Sequence, residues 1–198
     1  MRIQQGEARG RRLEGPRDQS TRPLLDQIRE SLFGGLGDVF ESKAVLDLFC
    51  GVGSFGLEAL SRGARWATFV DASRSTLEIL ERNLETLGFG PRAEVLRGDA
   101  LKVPDESTPS RRSFAVAFLD PPFKMFASRE ATDRVLARTK ALLASPILEP
   151  GGLVLLRVPT QPGHTEALQE LESIPMSESK THGESTIFQF RSGRRAVC

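Results

Sequence analysis

Along the chain, short, mostly apolar runs alternate with stretches of helical periodicity, the signature of a parallel sheet covered by helices. The candidate strands are Ala44 to Phe49, Trp66 to Asp71, Ala93 to Arg97, Phe114 to Leu119 and Leu153 to Val158. Most lack in–out alternation, as strands covered on both faces do. Between the second and third runs, Leu77, Leu80, Leu84 and Leu87 recur at helical spacing and predict an amphipathic helix closed by Gly88. Nearer the N-terminus, Leu25, Ile28, Leu32 and Leu36 share one face of another helix. After Val158 the pattern is interrupted by Pro159, Pro162 and Pro175, and a last β-like run, Thr186 to Phe190, predicts two strands joined as a hairpin. Asp105 to Arg112 reads as a polar surface loop. Residues 1–40 are read as an N-terminal extension packed on a core domain of residues 41–198.

Composition narrows the class. With 198 residues, 39% hydrophobic and 27% charged, the chain is expected to form one soluble globular domain and not a wholly disordered one. No apolar stretch approaches the roughly 20 residues needed to cross a bilayer. Met1 to Gln5 lacks the apolar core of a secretory signal, and two cysteines, Cys50 and Cys198, make no disulfide framework, so a cytoplasmic location is expected. His164 and His182 lack ligand spacing, so no metal site is expected. The 27 Lys and Arg nearly balance the 26 Asp and Glu, and the net charge of +1 dictates no polyanionic partner. Locally the balance differs, since residues 1–23 hold six Arg against three acidic side chains. Arg9, Arg11 and Arg12, together with Arg22 and Arg29, are the candidate contacts to a phosphate backbone.

Two segments carry candidate chemistry. Asp47-Leu48-Phe49-Cys50-Gly51-Val52-Gly53-Ser54-Phe55-Gly56 ends a predicted strand and opens a helix-like stretch, the context that a nucleotide-binding glycine turn requires. The glycines alone are a weak signal, but two carboxylates sharpen it. Asp71 ends the next strand, 20 residues after Gly51, where it can accept hydrogen bonds from both hydroxyls of a ribose. Asp47 faces the place where a dinucleotide would put its pyrophosphate, which repels NAD and attracts a cationic ammonium and sulfonium. S-adenosylmethionine is therefore the expected cofactor. Asp99, after the third strand, is a candidate acceptor for the adenine amino group, and Phe49, Ala72 and Ala100 complete the expected lining beside Gly51 and Gly53. Cys50 is expected to pack beside the cofactor and not to act as a nucleophile, having no companion base or second cysteine.

The second segment, Asp120-Pro121-Pro122-Phe123, follows the fourth apolar run at the carboxyl edge of the sheet, where open α/β folds bind ligands. Methyl transfer to an exocyclic amine of a base suits it. Such a nitrogen is a poor nucleophile, because its lone pair is delocalised into the ring, and must be held with that lone pair aimed at the methyl. Asp120 and the Pro121 carbonyl can accept the two amino hydrogens while Phe123 stacks on the base, with Pro122 stiffening the turn.

With the glycine turn, Asp71 and this D-P-P-F motif in order, the chain resembles class I S-adenosylmethionine-dependent methyltransferases. More closely it resembles the RsmD family, through Arg9-Gly10-Arg11-Arg12-Leu13, Arg22-Pro23, Asp26-Gln27-Ile28-Arg29-Glu30-Ser31-Leu32-Phe33, Gly56-Leu57-Glu58-Ala59-Leu60-Ser61-Arg62-Gly63-Ala64 and Asn83-Leu84. The resemblance implies a Rossmann-like seven-stranded sheet flanked by helices, an N-terminal hairpin and helix, and methylation of a guanine N2 in 16S ribosomal RNA, either naked or within a small-subunit assembly intermediate. A monomer is expected. Leu24, Gly34, Arg157 and His182 depart from the family's usual Thr, Asn, acidic and Tyr residues. Two alternatives stand beside this reading: an adenine N6 methyltransferase, and a ribosome-assembly RNA-binding protein with an inactive methyltransferase fold.

Overall fold

A computed structural model describes residues 1–15, 22–103, 113–160 and 176–193, with side chains in the second of these stretches described from residue 28 onward. The chain divides into two compact units, Met1–Ala100 and Leu101–Cys198. The predicted loop at Asp105 to Arg112 lies outside the described residues.

In the first unit, strands β1 (Ala44–Leu48), β2 (Trp66–Asp71) and β3 (Ala93–Arg97) run parallel in the order β3-β2-β1. All five residues of β1 are buried, as its unbroken apolar run requires except at Asp47. Helices α1 (Arg22–Leu36), α2 (Ser54–Ser61) and α3 (Arg74–Leu87) belong to this unit. On α3 the buried side chains are Leu77, Leu80, Asn83, Leu84 and Leu87, so the leucine stripe read from spacing is the core face. Ser73 caps its start by accepting the Thr76 N–H, and Gly88, at φ 75°, ends it, with the Phe89 N–H returning to the Leu84 carbonyl. On α1, Ile28 and Leu32 are buried.

The N-terminal residues form a hairpin, with Arg2 bridged to Arg12, that lies on α2 and α3. Its anchors are polar. Fully buried Glu58 accepts the N–H groups of Gln4 (2.9 Å) and Gln5 (3.1 Å) and the Arg62 guanidinium (2.9 Å). The Ser61 hydroxyl accepts the Ala8 N–H, and its carbonyl accepts that of Glu7. Asn83 exchanges hydrogen bonds with the backbone of Glu14 and also donates to the Val52 carbonyl inside the glycine turn.

In the second unit the strand order is β4-β5-β7-β6, with β4 (Phe114–Leu119) parallel to β5 (Leu148–Pro159) and β7 (Ser185–Arg191) antiparallel to both β5 and β6 (Met176–His182). The terminal hairpin is thus present, its second strand matching the expected run. β5 begins five residues before the predicted Leu153, reaching back through Pro150-Gly151-Gly152, and its pairing with β4 shifts register between Phe114 and Val116. Helix α4 (Arg129–Ala144), capped by Ser128, had no counterpart among the sequence expectations. The seven strands together belong to a mixed sheet with flanking helices. No helix among the described residues is long and apolar enough to cross a membrane.

Candidate methyltransferase site

The glycine turn is built on unusual backbone. Between β1 and α2, Phe49 (φ 58°), Gly51 (φ 54°) and Gly53 (φ 84°) all take left-handed conformations, which is rare for a phenylalanine and marks a turn held in place by its surroundings. Gly53 has a second constraint, because a Cβ there would meet Leu80 Cδ1 at 2.4 Å. At Gly51 a Cβ would point into open space. The turn is held by the two carboxylates singled out from sequence. Asp47 is 0% exposed and its Oδ2 accepts the Gly56 N–H at 2.8 Å, one of the orphan amides of the first turn of α2. Asp71 accepts the Gly51 N–H through Oδ2 and the Ser73 N–H through Oδ1, both at 2.8 Å. It stays partly exposed, and each carboxylate oxygen retains a second lone pair for an incoming hydroxyl.

The structure therefore brings Asp47, Phe49, Gly51, Gly53 and Asp71 into one turn and gives Asp47 a structural task that spacing did not reveal. The β3 end is drawn to the same place by the Gly98 N–H, which donates to the Asp71 carbonyl at 3.0 Å, so half-buried Asp99 and buried Ala100 follow directly; Ala72 is exposed. The site fits S-adenosylmethionine in two respects: open space where Gly51 lacks a side chain, and the partly exposed Asp71 carboxylate bonded to its N–H and suited to a ribose. Cys50 is buried, and burial, then the Asp47 and Asp71 carboxylates, pushes its thiol far above the ordinary range, so no thiolate forms near neutral pH.

In the second unit, Asp120 directly follows β4; Pro121 is buried, Pro122 exposed, and Phe123 half-buried at the start of a single 3₁₀ turn. Asp120 has a partner that sequence did not assign. Arg157, on β5, donates from Nε to Asp120 Oδ1 at 2.6 Å and from a terminal nitrogen to the Ser185 hydroxyl at 3.3 Å, and its guanidinium lies 4.8 Å from the centroid of the Phe123 ring. The signal was present only as a departure from the family pattern.

The arginines separate into groups. Arg9, Arg11 and Arg12 are exposed on the N-terminal hairpin, with Arg11 donating to the Thr86 carbonyl. Arg29 does not join them: it is 1% exposed and donates to the Arg2 carbonyl at 2.6 Å, so it fastens the hairpin from beneath and is removed from the phosphate-contacting set. The Arg22 side chain lies outside the described residues. Among the described residues no cluster of His, Cys, Asp and Glu is arranged to hold a metal.

A family model described as "Conserved hypothetical protein 95" matches residues 1–191. The chain belongs to this family. It is the RsmD type anticipated from the motifs. "Ribosomal RNA small subunit methyltransferase D" of Escherichia coli is 39% identical over 125 residues, 63% of this chain and 61% of that protein. The chain's aligned stretch thus spans about three-fifths of that relative's length. The solved structure of "Putative methyltransferase yhhF" from Escherichia coli covers 98% of this RsmD-type chain and 99% of its own at 27% identity and a TM-score of 0.76. An RNA methyltransferase from Salinibacter ruber in complex with S-adenosyl-L-homocysteine shares the fold, covering 91% of this chain and 97% of that one at 15% identity and a TM-score of 0.59. The fold is the Rossmann-like one of class I S-adenosylmethionine-dependent methyltransferases.

Proposed function

We propose that this RsmD-type protein transfers the methyl group of S-adenosylmethionine to the exocyclic N2 of a guanine in 16S ribosomal RNA, acting in the cytoplasm as a monomer. The observation that carries the reading is the Asp-Pro-Pro-Phe turn, in which a partly exposed carboxylate and an aromatic ring are held by the same guanidinium. The relative named for small-subunit ribosomal RNA supports the substrate class. Asp47, Phe49, Gly51, Gly53, Asp71, Ala72, Asp99 and Ala100 would hold the cofactor, and Arg9, Arg11 and Arg12 the RNA backbone.

When bound, the cofactor supplies an electrophilic methyl on a positively charged sulfur. Asp120 and the Pro121 carbonyl accept the amino hydrogens of the base, which turns the nitrogen lone pair out of conjugation and toward that methyl. Phe123 holds the base plane by stacking. The Asp120 carboxylate would stabilise the positive charge that grows on the nitrogen as it gains a methyl group. The surplus proton would pass from the nitrogen to solvent water afterwards, and no deprotonation is needed before attack.

Nucleoside analysis of 16S RNA from cells with and without the gene tests the whole reading. An N2-methylguanine that disappears with the gene is expected; loss of an N6-methyladenine instead moves the target, and unchanged RNA together with no transfer from radiolabelled cofactor favours an inactive assembly factor. Calorimetry tests the cofactor separately: S-adenosylhomocysteine is expected to bind, and tight binding of NAD without it would sink the reading.

A further inference from the structure

The amine-binding turn contains a cation that the reaction as described does not use. Arg157 reaches from β5 to three separate parts of the second unit: Asp120 at the end of β4, the Phe123 ring in the 3₁₀ turn, and Ser185 at the start of β7. Its side chain is 17% exposed and that of Asp120 is 18% exposed, so the ion pair is sheltered enough for geometry to matter. The guanidinium is planar and has donors in fixed directions, which lets one side chain fix a carboxylate rotamer and cover an aromatic face together.

We propose that Arg157 is a positioning residue for methyl transfer, a role that rests on the functional reading above. It holds Asp120 by Oδ1 and thereby presents Oδ2 to the amine in one orientation; among the described residues Oδ2 accepts no hydrogen bond. By its contact with Phe123 it fixes the position of the ring against which the base lies. Ser185 prevents the guanidinium from turning about its own axis. The arrangement has a cost, because the cation offsets part of the negative charge that stabilises the developing ammonium. Orientation outweighs that loss, since a displacement of about 1 Å in a reacting group can cost on the order of 100-fold in rate.

The test is steady-state methylation of small-subunit ribosomal particles from cells lacking the gene, with radiolabelled S-adenosylmethionine. Arg157→Ala is expected to lower kcat by about tenfold to a hundredfold, with KM for RNA and affinity for S-adenosylhomocysteine little changed. Arg157→Lys, which restores a point charge without the fork or the stacking plane, is expected to recover part of kcat. Millimolar ethylguanidinium added to Arg157→Ala is expected to recover more, while equal concentrations of tetramethylammonium recover none; a merely structural arginine would show no such selectivity. Thermal melting of Arg157→Met, which keeps the stem but not the donors, separates packing from positioning. Wild-type kcat in Arg157→Ala overturns the assignment, as does a fall in kcat that neither lysine nor ethylguanidinium lifts. Failure of the wild-type protein to methylate the particles has a different signature, and removes the functional reading and this role together.

Discussion

At Asp120 the two carboxylate oxygens face different partners, Oδ1 the Arg157 guanidinium and Oδ2 the amine proposed to enter the site. Asp120→Ala is therefore expected to reduce methyl transfer by on the order of 100-fold, while S-adenosylhomocysteine binding measured by calorimetry stays close to wild type, because the residues proposed to hold the cofactor lie in the first unit. Wild-type turnover would remove Asp120 from the mechanism. Cys50 makes the opposite case, a reactive residue type placed where it cannot react. With its thiol buried and pushed upward by burial and two carboxylates, it is expected to resist iodoacetamide in the folded protein at pH 8 and to react after unfolding, read by mass spectrometry. The sign for stability follows from the same shift: the unfolded thiol ionises first, so the contribution of Cys50 is intact below the ordinary thiol pKa and declines as pH rises above it.

Within elements, the glycine turn and the N-terminal hairpin are each held by a buried carboxylate that accepts backbone N–H groups. Glu58→Ala removes the acceptor for Gln4, Gln5 and Arg62 together, and is expected to destabilise the protein by about 3 kcal/mol, seen in urea unfolding, with faster hydrogen exchange at the Gln4 and Gln5 amides. Gly53→Ala combines a left-handed backbone with a clash against Leu80 and is expected to cost about 1–3 kcal/mol and to weaken S-adenosylhomocysteine binding. These anchors also explain how far the sequence could be read. Strands β1, β2, β4 and β5 were legible because each carries a mostly apolar run, and α3 because its leucines form one stripe. Helix α4 was not, because its buried face includes Thr132, Arg138 and Thr139 among Val135, Leu136 and Leu142, which dilutes the apolar period. β6 is polar along its length and gave no run to find. Spacing located the glycine turn and the Asp-Pro-Pro-Phe turn, since each is local in sequence. The Arg157 contacts depend on the alignment of β5 with β4 and β7, which no local pattern records.

For the molecule as a whole, a net charge of +1 cannot concentrate it on RNA, so the proposed affinity would come from where the arginines stand. Replacing Arg9, Arg11 and Arg12 with Ala is expected to weaken RNA binding regardless of sequence and to flatten its salt dependence by up to about three phosphate contacts. S-adenosylhomocysteine binding and the folded state are expected to persist, since exposed arginines add little stability. Filter binding across a salt series measures this, and an unchanged slope in the folded variant would place the RNA-binding surface elsewhere.

The docking of the hairpin also sets an order of events during synthesis. Residues 1–15 leave the ribosome before any of their partners at Glu58, Ser61 and Asn83 exist, and Gly6 sits so close to the Ser61 carbonyl that a Cβ would approach it to 1.7 Å, a fit that needs α2 already formed. The segment carrying Arg9, Arg11 and Arg12 therefore lacks the partners that shape it until some 70 further residues have emerged and α2 and α3 have folded. Its shape, and with it the proposed RNA-contacting surface, is gained only by chains in which α2 and α3 are already built.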